Sequence, residues 1–396
     1  MKTKITVSAF VIMLAIFAVL TLMPGDPDSV IAENREPAQM PEVSLNNIFF
    51  GDFCSDYESF LSDDVGFRGK LISLSNKINS LKGIKGYGYI SNANADLGLG
   101  AGDTKKGLLI ADEKIMEIFK ANAQQRDNYA DMVSHYRNSL PDDIYVYSMI
   151  IPTQIEFEGD EYKSLSDSQK ETIDYIYNKV DSRVKCVNAY DALKNHKNEY
   201  IYFRTDHHWT TLGAYYAYRE FAQTAKVNIA NIKDYEEKKA EGFLGYLYNQ
   251  AQATELKEKP DTIYYYEKEG QNLTTYATAW ENGEVIKYQG KIFSPAPAGT
   301  ETKYSLFMGG DHPLLYIPTN VENGRHLMII KESYANAFIP WVINSFETVV
   351  VCDPRSFGTD IMSVAEEYGI TDVLLMNYTF TTTFPDIISL EKGIMQ

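Results

Sequence analysis

Four short apolar runs, separated by helical patterns, limit the possible folds more than any other feature of this chain. They are Ile144-Tyr-Val-Tyr-Ser-Met-Ile-Ile, Leu327-Met-Ile-Ile, Val349-Val-Val-Cys and Val373-Leu-Leu-Met. A strand with one wet face alternates apolar and polar residues, whereas a strand covered on both faces reads as a continuous apolar run. Helical patterns over 168–180, 335–344 and 360–368 lie between or beside these runs. The resulting β-α-β repeats predict an α/β protein with a three-layer, parallel sheet. Further strands are expected at 106–110, 184–187, 200–203 and 304–308, and an amphipathic helix at 123–140. Thr210 or Thr211 is placed to cap a helix carrying Leu212, Tyr215, Tyr216 and Phe221. Two helical patterns, 53–61 and 67–81, precede a Gly- and Asn-rich loop at 83–103. Residues 228–325 alternate polar and aromatic residues around turn signals such as Glu281-Asn-Gly, and read as an irregular β-rich insertion.

At 396 residues the chain holds one large or two ordinary domains. The net charge of −17 opposes nucleic-acid phosphates and anionic lipid, so nucleic-acid binding is disfavoured. Tyrosine is abundant, 29 residues against 3 Trp, which suits a carbohydrate groove but equally fills a β-rich core. Cys54, Cys186 and Cys352 have no zinc-like spacing and allow at most one bridge. Lys2 and Lys4 precede Ile5 to Met23, a run without a charged residue, and a Pro-rich acidic stretch follows to Pro41. Residues 1–23 therefore read as an export signal or, at about 19 residues and roughly 28 Å, an uncleaved membrane anchor. Residues 24–41 read as a linker and 42–396 as the body, lying outside the cytoplasm.

The chemistry concentrates in two places. Thr205-Asp-His-His-Trp-Thr puts a carboxylate, two imidazoles and an indole at the mouth of a helix, and Ser333 follows the strand Leu327–Ile330. Ligands of open parallel sheets bind beyond the carboxyl ends of the strands, where Ser333 lies. Its own N–H, opening a helix, faces the position of a developing oxyanion. An ordinary helix cap has the same geometry, so Ser333 alone is ambiguous. A serine becomes a nucleophile when a neutral imidazole takes its proton, and that imidazole needs a carboxylate to fix its tautomer. Asp206 and His208 are spaced to supply both. His207 is then structural or turned to substrate, and Trp209 walls the site or stacks on a sugar. Asp-His-His also suits a metallophosphoesterase. Neighbouring histidines of an extended segment point to opposite sides, however, and no D-x-D companion follows the other strands. No metal and no cofactor is expected.

Arg204-Thr-Asp-His-His-Trp-Thr-Thr-Leu-Gly-Ala-Tyr and Lys331-Glu-Ser-Tyr-Ala-Asn-Ala-Phe-Ile-Pro together resemble the DHHW family of exported bacterial proteins. That family is similar to the SGNH-hydrolase-like domains of the alginate O-acetyltransferase group. The likeness runs from about residue 45 onward and includes Asp63-Asp-Val-Gly-Phe-Arg and Gly309-Gly-Asp. It implies a flavodoxin-like SGNH-hydrolase fold with its motifs in permuted order, the Asp-x-His pair before the serine. Carried over by motif, Ser333 is the nucleophile, His208 the general base and Asp206 the orienting acid. Gly310 and Asn336 are the candidate oxyanion donors. The serine block reads Lys-Glu-Ser where Lys-Asp-Ser or Gly-Thr-Ser is more usual.

The expectation is an extracytoplasmic serine-dependent O-acetyltransferase or acetylesterase acting on cell-surface polysaccharide through an acyl-serine. By family similarity, a membrane-bound acyltransferase is the partner that supplies acetyl groups. The alternatives are a non-catalytic glycan-binding or assembly protein on the same fold and the metallophosphoesterase.

Overall fold

The computed structural model describes residues 107–395 apart from 160, 161, 163, 252, 253, 282, 283, 296–298 and 300–302, together with scattered positions between 10 and 64. Two strands, β1 (Gly107–Ala111) and β2 (Lys114–Ile118), pair as a hairpin. The central sheet begins with β3 (Tyr145–Ile151) and β4 (Lys185–Cys186). Strands β5 (Glu236–Phe243) and β6 (Asp261–Glu267) form a separate antiparallel pair. Next come β7 (Thr274–Glu281), β8 (Glu284–Lys291) and β9 (Leu314–Pro318). The chain closes the sheet with β10 (His326–Lys331), β11 (Thr348–Cys352) and β12 (Asp372–Tyr378). The eight strands of the central sheet run β4-β3-β12-β10-β11-β9-β7-β8.

The four apolar runs are β3, β10, β11 and β12, side by side in the middle of that order. Successive side chains of a strand point to opposite faces, and here both faces are dry. Leu327, Ile329, Val349, Val351, Leu374 and Met376 pack on one side with helix α4 (Thr211–Ala225). Met328, Ile330, Val350, Cys352, Val373 and Leu375 pack on the other. There they meet α1 (Ala123–Ser139), α2 (Gln169–Lys179) and α6 (Ile361–Glu367). The remaining helices used below are α3 (Ala189–Asn195), α5 (Tyr246–Ala251) and α7 (Pro385–Gly393). Side-chain caps start several helices where the sequence provides them: Ser168 accepts from Glu171, Thr210 from Gly213, and Asp360 from Met362 and Ser363.

The structure departs from expectation in several elements. The sheet is mixed: β4, β3, β12, β10 and β11 are parallel, but β9 runs antiparallel to β11, and β7 and β8 continue in antiparallel pairs. Part of the 228–325 stretch therefore extends the central sheet. Residues 304–308 are not a strand. Lys303–Leu306 is a 3-10 turn, and three successive positive φ angles at Met308, Gly309 and Gly310 then turn the chain away. The helix expected over 335–344 is broken into a 3-10 turn, Ser333–Ala337, and a four-residue helix, Ile339–Val342. Pro340 lacks the N–H that would continue an earlier helix. Tyr202 makes only an isolated bridge to Trp209 instead of lying in a strand.

Phe53, Tyr57, Glu58, Phe60 and Leu61 are helical. The expected helix 67–81, the loop 83–103, Cys54 and nearly all of the N-terminal run and linker lie outside the described residues. Among those described, no helix is long and apolar enough to cross a membrane, and Cys186 and Cys352 are free thiols.

Candidate active site

The Asp-His-His segment is the tip of a tight loop. Its base is closed by the Tyr202–Trp209 bridge and by Phe203 N–H donating to the His208 carbonyl at 3.2 Å. The entry to the loop is held by Asp261, a buried carboxylate at the start of β6. It accepts the backbone N–H groups of Arg204 (3.0 Å) and Thr205 (2.8 Å), the Thr205 hydroxyl (2.6 Å) and the Tyr200 hydroxyl (2.6 Å). Charge-assisted bonds of this kind are the stronger class. The Thr205 hydroxyl bond, with a bond from Arg204 Nε to Asp261 Oδ1 at 3.2 Å, gives both side chains ahead of the motif a role in holding the loop.

Within the loop, Asp206 Oδ1 accepts from the His208 backbone N–H at 2.9 Å and lies 2.6 Å from His208 Nδ1. On the far side of the imidazole, His208 Nε2 lies 2.7 Å from Ser333 Oγ. Aspartate, imidazole and hydroxyl thus form one hydrogen-bonded series across two segments 125 residues apart. Asp206 and His208 are buried, while Ser333 stays partly exposed. Burial disfavours the Asp206 anion, but the His208 and His207 imidazoles and the N–H donors of His208 outweigh it. They hold the carboxyl well below the usual carboxylate range.

Asp206 has a further partner from α5: Tyr246 N–H donates to its Oδ2 at 2.8 Å. The approach is so close that a Cβ on Gly245 would sit 2.2 Å from Asp206 Cβ and 2.3 Å from Oδ2. Gly245 is needed there for space, not for its backbone angles.

Tyr334 ties the two motifs together. Its carbonyl accepts the Trp209 indole N–H at 2.8 Å, and its hydroxyl donates to the His207 carbonyl. Trp209 is therefore not a wall for substrate: it is wholly buried, and its ring is a strut between the histidine loop and the serine turn. Beside Ser333, Glu332 accepts the N–H of Tyr334 on one oxygen and that of Tyr378 on the other, each at 2.9 Å. It thereby pins the serine turn to the end of β12. Burial raises the Glu332 carboxyl to about 7, against the pull of both N–H donors.

The two oxyanion candidates have other partners. Gly310 donates its N–H to the Phe307 carbonyl at 3.0 Å. Asn336 accepts from Lys331 Nζ at 2.9 Å and donates to Asp311 at 2.8 Å. Lys331, Asp311, Asn336, Asp353 and Arg355 form an ionic cluster on the serine side of the sheet. Burial opposes ionisation of Asp311, but the Lys331 and Arg355 cations hold its carboxyl far below the usual range.

His207 and His208 do not point to opposite sides. Their rings lie 3.9 Å apart, because residues 204–208 form a turn and not an extended strand. One ligand atom each from Asp206, His207 and His208 lie within 4.8 Å of one another. Both nitrogens of His208 already face protein partners, so an ion would have to displace Asp206 or Ser333. The donor set fits a proton relay better than a cation site.

Sequence reasoning picked out Asp206, His208 and Ser333, and missed Asp261, Gly245, Tyr304 and the roles of Tyr334 and Glu332. Tyr304 stacks on His208 with centroids 4.0 Å apart. Three of these residues lie in the stretch 228–325, where no local pattern separates one Asp or Gly from the others.

Fold and site define a mixed α/β protein with a large central sheet and a serine, a histidine and an aspartate in hydrogen-bonded series. The chain belongs to the DHHW family, whose model, described as DHHW protein, matches residues 90–352. A DHHW family protein from Eubacterium siraeum is 32% identical, covering 75% of this chain and 97% of that one, with a TM-score of 0.65. PatB1 of Bacillus cereus, solved with a sulfonyl adduct, shares the fold at 19% identity, covering 72% and 98%, with a TM-score of 0.60. The O-acetyltransferase domain of Pseudomonas putida AlgJ aligns loosely, at 12% identity over 73% and 99% with a TM-score of 0.41. Comparison with curated proteins gives no match.

Proposed function

We propose that this chain is a serine-dependent acyltransferase or esterase, acting on O-acetyl groups of a cell-surface polysaccharide outside the cytoplasm. The observation that carries the acyl-transfer part is the series Asp206–His208–Ser333, with bonds of 2.6 and 2.7 Å. His208 Nε2 takes the Ser333 proton as Oγ attacks the carbonyl of an acetyl ester. The tetrahedral intermediate collapses, the donor alcohol leaves with the proton returned by His208, and acetyl-Ser333 remains. A sugar hydroxyl or water then gives its proton to His208 and attacks the ester, and as the second tetrahedral intermediate collapses His208 returns that proton to the departing Ser333 Oγ. Asp206 keeps Nδ1 protonated and Nε2 facing the hydroxyl, and stabilises the imidazolium. We assign the N–H of Ser333, at the opening of its turn, to the oxyanion; Gly310 gives its one N–H to Phe307, while Asn336 keeps a second amide hydrogen beyond the one given to Asp311.

The acetyl group, the polysaccharide and a membrane-bound acyltransferase partner rest on the resemblance of the two motifs to the alginate O-acetyltransferase group. We place the chain on a permuted, three-layer SGNH-type fold. Residues 1–23 then act as signal or anchor, 24–41 as linker, and 228–325 as the insertion shaping the glycan groove, with His207 at its edge.

The test is a serine-reactive fluorophosphonate together with a chromogenic acetyl ester. Wild-type protein should be labelled and should turn over the ester, and Ser333→Ala should do neither. Undiminished turnover by a clean Ser333→Ala preparation rejects the serine mechanism. A wild-type protein left unmarked by the probe supports the non-catalytic, glycan-binding alternative.

A further inference from the structure

Among the described residues, Tyr304 is the one aromatic ring lying flat on the imidazole of His208 from outside both motifs. The centroids are 4.0 Å apart and the planes differ by 15°. Its hydroxyl donates to the Ser333 carbonyl at 3.2 Å, so a single side chain touches both the base and the residue that bears the nucleophile. The ring is itself held edge-on by Phe307 at 5.3 Å and Phe203 at 6.3 Å. It is partly buried, on the 3-10 turn Lys303–Leu306.

We propose that Tyr304 is a positioning residue of this site, whose ring face orients His208 and stabilises the imidazolium formed when the base takes the Ser333 proton. The inference rests on the acyl-transfer reading above. An aromatic face attracts a cation lying over it within about 6 Å of its centroid, and more strongly when the pair is shielded from water. The neutral imidazole gains less from the same face, so the stack favours the state that exists only after proton transfer. That difference makes a contact catalytically useful, since uniform binding of both states would not accelerate the step. The hydroxyl has the lesser part: it anchors the serine turn through a carbonyl that does not react.

The titratable groups around the stack are Asp206 and His207 on the same loop, Glu332 and Tyr334 on the serine turn, and Asp311 on the 308–312 loop. All of them are retained in every Tyr304 variant, so the ring-less pair and Tyr304→Phe are compared at the same complement of charged groups.

The experiment follows the rate of fluorophosphonate labelling against pH in the full chain, for wild type, Tyr304→Phe, Tyr304→Leu, Tyr304→Met and Ser333→Ala. Labelling forms the Ser333 Oγ–P bond, expels fluoride and passes the serine proton to His208. Removing the ring in the Leu or Met variant should move the acid limb of the profile down by about half a unit to one unit. The plateau rate should fall as well, because the base is weaker. Tyr304→Phe, which keeps the ring, should hold the acid limb within about 0.2 unit of wild type. Two ring-less variants are included so that one poorly folded protein does not decide the matter, and the pH midpoint does not depend on the amount folded. A lowered rate with an unmoved acid limb in the Leu and Met variants would mean that Tyr304 is only packing, and would overturn the proposal. So would a shift in Tyr304→Phe as large as in Tyr304→Leu. Labelling that persists in Ser333→Ala overturns the underlying site reading too, whereas an unlabelled Ser333→Ala with unmoved ring-less variants overturns this inference alone.

Discussion

Tyr246 donates its backbone N–H to Oδ2 of Asp206 at 2.8 Å, from a short helix 40 residues further along the chain. With the His208 N–H and ring on Oδ1, both oxygens of the carboxylate are occupied. A doubly held carboxylate cannot swing away from the imidazole, so the tautomer and tilt of His208 are set before any substrate arrives.

Asp206→Asn replaces one accepting oxygen by an NH2 group and should reduce ester turnover by about three to four orders of magnitude, as expected when the imidazole loses its orienting anion. Turnover within tenfold of wild type would remove Asp206 from the mechanism.

Gly245→Ala places a methyl group within 2.6 Å of three Asp206 atoms. The neighbour that must yield is a buried, hydrogen-bonded carboxylate. The expected cost is about 1–3 kcal/mol of stability, as for overpacking elsewhere, with a matching loss of labelling. Urea denaturation and probe labelling of the same preparation check both parts.

Trp209→Phe keeps one aromatic ring, empties the space of the fused pyrrole, and leaves the buried Tyr334 carbonyl without the indole N–H. A lost partner at a buried polar group costs about 1–3 kcal/mol. Chemical denaturation should show that loss, and binding of glycan fragments should be unaffected directly, because the indole is sealed from solvent.

Glu391 on α7 gives a prediction about pH. Burial raises its carboxyl to about 8, although Asn377 donates to it at 2.7 Å. In the unfolded chain a glutamate titrates near 4.3. Between those values the unfolded state gives up its proton first, so this group's contribution to stability is full below about pH 4.3 and is lost as pH rises toward 8. Glu391→Gln, uncharged throughout, should match wild type near pH 4 and become steadily the more stable as pH rises, by roughly 5 kcal/mol at pH 9 for a shift of that size. An equal difference at both pH values would show that Glu391 does not titrate in this way.

A chelator gives a fifth prediction. Both ring nitrogens of His208 face protein atoms, so turnover should survive exhaustive EDTA treatment. Loss of turnover that zinc or manganese restores would favour the metallophosphoesterase.

The continuous apolar runs already carried the middle of the sheet, because burial on both faces leaves its mark in consecutive residues. Asp206 and His208 were legible for a similar reason, since proton transfer needs those side-chain types and they stand two residues apart, while Ser333 was legible from its place directly after a buried strand. The antiparallel edge β9-β7-β8 was not. Its strands alternate like any half-exposed hairpin, and which sheet they join depends on contacts far along the chain. Trp209 was misjudged because an indole reads the same whether it faces a sugar or a carbonyl.

The residues alone determined that a buried parallel core would form and that an aspartate, a histidine and a serine of the kinds a proton relay uses were present. Both follow from patterns only a few positions long. Only the tertiary structure decided that His208 meets Ser333, that Tyr304 lies on the imidazole, and that Asp261 and Gly245 hold the histidine loop. Those contacts join segments tens to more than a hundred residues apart, and their geometry comes from packing that no local pattern encodes.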